Sequence, residues 1–182
     1  MVTGLAAGAR AVQESGWDAE RDVELLLAFL NTVSVEEASD VLDDERSWLR
    51  WVTERGLGAP GLPDRVKTVR DALRCVVLAH HNEQGTSPAP PVDGAGGTIR
   101  IELSGGVPVL TASDALGAVL AAAARLAVMG YWDRIKICPA DDCGWAFCDR
   151  SRNRSRTWCS MRVCGNREKA RNWRERARGA AS

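Results

Sequence analysis

The chain has 182 residues, with 24 Lys and Arg against 24 Asp and Glu, 45% hydrophobic and 26% charged residues. This composition excludes a disordered chain and leaves room for one domain plus a small module. The most apolar stretch, Leu116 to Met129, contains Arg125 and is too short to span a bilayer, and Met1 to Ser15 lacks a basic start with an apolar run, so a cytoplasmic protein with no membrane partner is expected.

The zero net charge conceals a split. Residues 1–130 hold 11 Lys and Arg and 18 Asp and Glu, a net −7, whereas residues 131–182 hold 13 and 6, a net +7. An acidic body beside a basic tail suits a regulator with a separate binding module.

Asp18 to Val33 predicts a helix, because Val23, Leu26, Leu27 and Leu30 recur at helical spacing and acids crowd its start. A second helix is expected from about Asp43 to Arg55, stopped by Gly56, and a third from about Asp64 to His81 after Pro63. Val66, Val69, Leu73, Val76, Val77 and His80 form its apolar stripe. Cys75 reads as core, and His80 and His81 as helix-end histidines.

Residues 84–97 are rich in Gly and Pro and predict a flexible loop. A β-hairpin follows over 98–110, turning at Ser104-Gly105-Gly106. Ser113 or Asp114 can cap a fourth helix running to Met129, ended by Gly130. Arg134 to Cys138 alternates like a short strand. The expected fold is mainly α: a helical N-terminal domain with a β-hairpin (1–130), then a small C-terminal four-cysteine module with a terminal basic helix (131–182). That module has few large aliphatics, so its own apolar core is weak.

Cys138 and Cys143 enclose four residues, Cys159 and Cys164 enclose four more, and fifteen residues separate the pairs. This is close to the spacing of a tetrahedral four-thiolate zinc site, and a reducing compartment favours metal ligation over disulfides. Pro139, Gly144 and Gly165 suit tight turns beside the ligands. Four thiolates leave no open coordination position, so one structural Zn2+ is expected. Cys148 is read as a buried small hydrophobe in preference to a redox thiol.

Arg150, Arg152, Arg154 and Arg156 occupy alternate positions, so an extended backbone would point all four to one side. Asn153 and its neighbours can donate to phosphate oxygens. Asn166 is a candidate N-cap for a helix on which Arg167, Arg171, Arg174 and Arg178 make a basic stripe. Ala170, Trp173 and Ala177 make a narrower apolar stripe able to pack on the knuckle.

Residues 138–172 resemble the CGNR zinc finger. The resemblance rests on Cys138, Cys143, Trp145, Phe147, Asp149, Ser151-Arg152-Asn153, Ser155-Arg156, Trp158-Cys159-Ser160-Met161 and the intact tetrapeptide Cys164-Gly165-Asn166-Arg167. Phe29-Leu30-Asn31-Thr32, the Trp48-Leu49 helix and the overall length resemble the helical ABATE domain that precedes this finger in bacterial proteins. The resemblance implies a stress-associated bacterial transcription regulator whose finger binds DNA, with Cys138, Cys143, Cys159 and Cys164 as its zinc ligands.

The expected function is therefore a non-enzymatic regulator that contacts double-stranded DNA through Arg150, Arg152, Asn153, Arg154, Arg156, Asn166, Arg167, Arg171, Arg174 and Arg178. An RNA-binding protein and a protein–protein adaptor using the zinc module are the alternatives. No nucleophile–base pair, carboxylate pair or phosphate loop stands out in the helical part. The reading leaves room for a small-molecule effector of the N-terminal domain and for a homodimer.

Overall fold

The computed structural model describes residues 18–81 and 95–179. The expected loop therefore falls largely outside the described residues, as does the His81 side chain. The fold is mainly α, with small antiparallel hairpins and a C-terminal four-cysteine cluster.

Helix α1 (Ala19–Leu30) starts at Asp18, whose carboxylate accepts from the backbone N–H groups of Glu20 and Arg21 at 3.0 and 3.4 Å. These bonds satisfy two of the four donors that a helix start leaves unpaired. Val23, Leu26, Phe29 and Leu30 on its inner face are buried. A short pair of strands, β1 (Val33–Ser34) and β2 (Ser39–Asp40), leads to α2 (Glu45–Glu54), capped by Asp44. The α2 indoles of Trp48 and Trp51 stack with centroids 5.0 Å apart, and both tilt onto Phe29. Trp48 is buried, and its Nε1–H donates to the Pro60 carbonyl at 3.0 Å, so burial leaves no polar atom unpaired.

Helix α3 (Pro63–Leu78) begins with proline at its first turn, where the missing N–H is no loss. Val66, Val69 and Val77 point inward, but Cys75 and Val76 are exposed, which corrects the expectation that Cys75 is core. At about 100° per residue, Cys75 lies on the far side of the helix from Val77. Arg70 takes an inward position instead. It is 2% exposed and donates to both oxygens of Asp40 at 2.6 and 2.8 Å and to Thr32 Oγ1 at 3.2 Å. Hydrophobic periodicity carries no signal for a buried, paired arginine.

Strands β3 (Arg100–Ser104) and β4 (Val107–Thr111) pair antiparallel in the expected hairpin. Helix α4 (Ala115–Val128) is capped by Asp114, which accepts from Gly117 N–H at 2.7 Å. Its Leu116, Val119, Ala122 and Leu126 are buried, and Arg125 reaches back to Asp22 of α1 at 2.6 Å.

The last hairpin, β5 (Ile135–Ile137) with β6 (Ala146–Cys148), joins the two halves of the molecule. Its register pairs Ile135 with Cys148, Lys136 with Phe147, and Ile137 with Ala146. Alternation sends Ile135, Ile137, Ala146 and Cys148 into the helical core, while Phe147 joins the cysteine cluster. The seam is polar as well. Asn31 donates to the Ala146 carbonyl and accepts from its N–H, at 2.9 and 2.7 Å. Arg74 links the carbonyls of Leu30 and Gly144, both at 2.7 Å, and His80 Nδ1 lies 2.8 Å from the Ile135 carbonyl.

Candidate metal centre and basic surface

Cys138 follows β5, Cys143 closes the first knuckle, and Cys159 and Cys164 form the second. Ser160 caps the turn after Cys159 by accepting from Val163 N–H. The chain then makes a π-helical turn, Met161–Gly165, that runs directly into α5 (Asn166–Gly179). Asn166 is consequently not an N-cap: it lies within the continuous helix, its side-chain amide donating to the Arg162 carbonyl at 3.2 Å. The early start follows from Ser160, which offers a cap six residues upstream.

The four Sγ atoms lie within 4.8 Å of one another, with Cys143 to Cys159 at 3.5 Å and Cys159 to Cys164 at 3.6 Å. A tetrahedron with zinc–sulfur bonds of about 2.3 Å has edges of about 3.8 Å. The four cysteines thus fit one structural zinc ion. Burial pushes the Cys143 thiol up to about 11 and raises Cys159 as well. Burial also acts upward on Cys164, but hydrogen bonds from Cys159, Cys143 and Cys138 hold it below its ordinary value. Crowded thiols resist losing more than one proton unless a cation sits among them, and a divalent metal supplies that charge. Arg167 adds a cation 3.6 Å from Cys164 Sγ.

Gly144 is needed where it stands. Its φ is +60°, and a Cβ there would meet Val35 Cγ2 at 3.0 Å and Arg74 Nη2 at 3.2 Å. The knuckle therefore depends both on a left-handed backbone and on close contact with the helical region. Trp158 packs on the cysteine cluster. Trp145, by contrast, is 46% exposed.

Residues 150–156 turn instead of running extended, with Arg154 at φ +53°. The cause is Asp149, a fully buried carboxylate missed as an organiser in the sequence. It accepts from Lys136 Nζ, Ser151 N–H and Arg156 N–H at 2.8, 2.9 and 2.8 Å. Lys136 also donates to the carbonyls of Arg154 and Arg156, folding the arm around its ammonium. Burial acts to raise the Asp149 carboxyl, but the Lys136 bond and the two backbone N–H groups prevail and hold it well below the usual carboxylate range. A lone Asp–Lys pair thirteen residues apart gives no sequence signal of this kind.

The four alternating arginines consequently diverge. Arg150 pairs with Glu20 of α1, and Arg154 meets Asp133 at 3.3 Å. Arg156 lies over the Phe147 ring at 4.9 Å and donates to the carbonyls of Trp158 and Cys159. Arg152 and Asn153 are exposed. On the helix, Arg167 pairs with Asp142 at 2.9 Å, and Arg171 with Asp141 at 2.6 Å and Glu168 at 2.7 Å. Arg174 donates to its own helix at the Ala170 carbonyl, and Arg178 is exposed. The apolar stripe does not pack on the knuckle: Ala170 and Ala177 are exposed and Trp173 is 67% exposed, while Glu168 is buried in that neighbourhood.

Cys148 is half-buried against the helical core, and burial raises its thiol. On its core side it packs as a small apolar side chain, with the charges of Arg150 and Arg134 also acting on it. No helix among the described residues is long and apolar enough to cross a membrane. No curated protein matches the chain. The C-terminal segment is a zinc-finger domain with a four-cysteine metal cluster, and residues 134–177 match the sequence model of the CGNR zinc finger.

Proposed function

We propose that the protein is a non-enzymatic, DNA-binding transcription regulator, with the finger as its contact to duplex DNA and the helical region as its regulatory part. The observation that carries the reading is the cation set left over after internal pairing. Among the described residues, Arg152, Arg162 and Lys169 are exposed with no acidic partner, and Arg174 and Arg176 donate to carbonyls of their own helix. Arg152 lies on the arm between the knuckles, Arg162 within the second knuckle, and Lys169, Arg174 and Arg176 on the helix that follows, an arrangement suited to phosphate contact. A site of four thiolates has no open position for hydrolysis, which supports a structural role.

The cations without a carboxylate partner are the first contacts in this reading. Arg150, Arg154, Arg167 and Arg171 are engaged with carboxylates, so each would have to exchange a partner to reach phosphate. The test is retention of random genomic fragments by the zinc-loaded protein across a salt series. We expect steep salt dependence and weaker retention for the double variant Arg152→Ala, Arg162→Ala. Absence of retention at low salt, or an unaltered double variant, would overturn the reading. The exposed indoles of Trp145 and Trp173 favour one second reading, single-stranded RNA binding by base stacking. Preferential competition by single-stranded RNA over duplex DNA would establish it.

A further inference from the structure

The β3–β4 hairpin turns at Gly105-Gly106, whose φ angles are +57° and +83°. Two positive φ values in succession make a type I′ turn, which closes on a hydrogen-bonded pair, here Ser104 with Val107. Pair types alternate along an antiparallel ladder. Glu102–Val109 and Arg100–Thr111 are therefore hydrogen-bonded pairs, whereas Leu103–Pro108 and Ile101–Leu110 are not. The backbone N–H and C=O groups of Ile101 and Leu103 point away from β4, along the outer edge of β3. On β4 an equivalent outward position is held by Pro108, which has no N–H to offer. One edge of the hairpin is blunted and the other is open.

Among the described residues β3 pairs with β4 alone, and all of β3 is exposed. Ile101 and Leu103 are 72% and 80% exposed, on the same face of the strand as Ile99. An open edge that carries large apolar side chains is a template for another strand. The sequence of this edge, Ile99-Arg100-Ile101-Glu102-Leu103, is complementary to itself. Set antiparallel against a second copy with Ile101 opposite Ile101, it places Ile99 opposite Leu103 and Arg100 opposite Glu102, each twice. Only the odd-numbered residues turn their backbone groups outward, so a symmetric pairing must be centred on a residue. Centring on Arg100 or on Glu102 sets like charges directly opposite, which is unfavourable, and Ile101 is the centre that pairs opposite charges. The side chains of Arg100 and Glu102 have no charged partner among the described residues, and across the hairpin they meet uncharged Thr111 and Val109.

We propose that the protein associates with a second copy of itself through the open edge of β3, forming a four-stranded antiparallel sheet, β4–β3–β3–β4, about a two-fold axis at Ile101. The two Ile101 side chains meet at the centre of one face, flanked by the Ile99–Leu103 pairs. The two Arg100–Glu102 pairs lie on the other face. Pro108 leaves each outer edge short of a donor, so the assembly closes at two copies instead of growing. One short strand from each copy makes a small interface, so the dimer is weak and depends on concentration. The inference does not depend on DNA binding.

The test is sedimentation equilibrium of the zinc-loaded full chain, without nucleic acid, from about 1 μM to about 1 mM. We expect the mass to rise from 19.7 kDa toward twice that value, with a dissociation constant of about 10–100 μM. Ile101→Lys sets two ammonium groups against each other at the centre of the edge and should leave a monomer throughout the series. Because Ile101 is exposed, the melting temperature of the dilute protein should be kept. Glu102→Arg brings arginines opposite each other twice and should weaken association about tenfold, as should Arg100→Glu with its opposed glutamates. The double variant Arg100→Glu, Glu102→Arg restores opposite pairs and should return to within about threefold of the native constant. A monomer at every concentration would overturn the inference. So would a dimer indifferent to Ile101→Lys, a double variant no tighter than the singles, or a mass that climbs past two copies.

Discussion

In the helical region, Leu26, Phe29, Trp48 and Val66 are closed off from water and pack as large apolar side chains. In the finger, the corresponding interior is Cys138, Ala140, Phe147 and Cys164, with Cys143, Trp158 and Cys159 around it. The first core gains from apolar area removed from water. The second has little such area, and its thiols are good ligands but poor packing. Between them sits the β5–β6 hairpin, one face in each core. The difference teaches that the finger is not an independent bead on a tail: its metal side relies on zinc, and its other side borrows the hydrophobic core of the helices.

Chelation of zinc should separate the two regions most strongly. Zinc contributes on the order of 10 kcal/mol in small finger peptides. Hydrogen exchange should show residues 138–165 losing protection while α1 to α4 keep theirs, and β5 should stay protected by its core face. Unchanged protection at Cys138 and Cys164 would show that the finger holds without metal.

A large effect of the opposite kind is expected in the helical core. Trp48→Ala removes a buried indole and should lower stability by about 3–5 kcal/mol. Urea unfolding followed by circular dichroism measures it, and the zinc content of the folded fraction should be unaffected. A loss below about 1 kcal/mol would mean that Trp48 is not part of the main core.

Breaking the buried Asp40–Arg70 pair with Asp40→Asn should cost about 3 kcal/mol at neutral pH, and part of that cost should depend on pH. Burial acts to raise the Asp40 carboxyl, but the bonds from Arg70, Leu42 N–H and Lys67 win and lower it. A lowered folded value means that the contribution is present above the unfolded value of about 3.9 and is lost as pH falls through the folded one. The stability gap between the native chain and Asp40→Asn should therefore be full at neutral pH and shrink in acid. A gap that is constant or grows in acid would contradict the pairing.

The smallest effect probes the seam. Asn31→Ala leaves the buried N–H and carbonyl of Ala146 without partners and should cost about 1–3 kcal/mol. Faster exchange at the Ala146 amide would report it, and unchanged exchange would mean that the hairpin is held by its apolar face alone.

Much of this protein was legible in local sequence. Asp114 caps α4 as the sequence offered, because a short carboxylate before an apolar-periodic run meets the free N–H groups of the first turn, and Asp18 and Asp44 do the same for α1 and α2. The four cysteines announce their cluster because a metal site demands fixed ligand spacing within two short knuckles. Other features depended on partners distant in the chain. The strand β6 is three residues long and becomes a strand only by pairing with β5 and docking on α1. Asp149 recruits Lys136 and thereby bends the arginine arm, so alternate positions no longer share a side. Glu20, Asp133, Asp141 and Asp142 decide which arginines stay free, and none of them is a sequence neighbour of its partner. Periodicity and caps are local because helices make their bonds within a few residues. Which charges are neutralised, and which face of a short hairpin is buried, depends on the meeting of distant segments, and only the tertiary structure decides it.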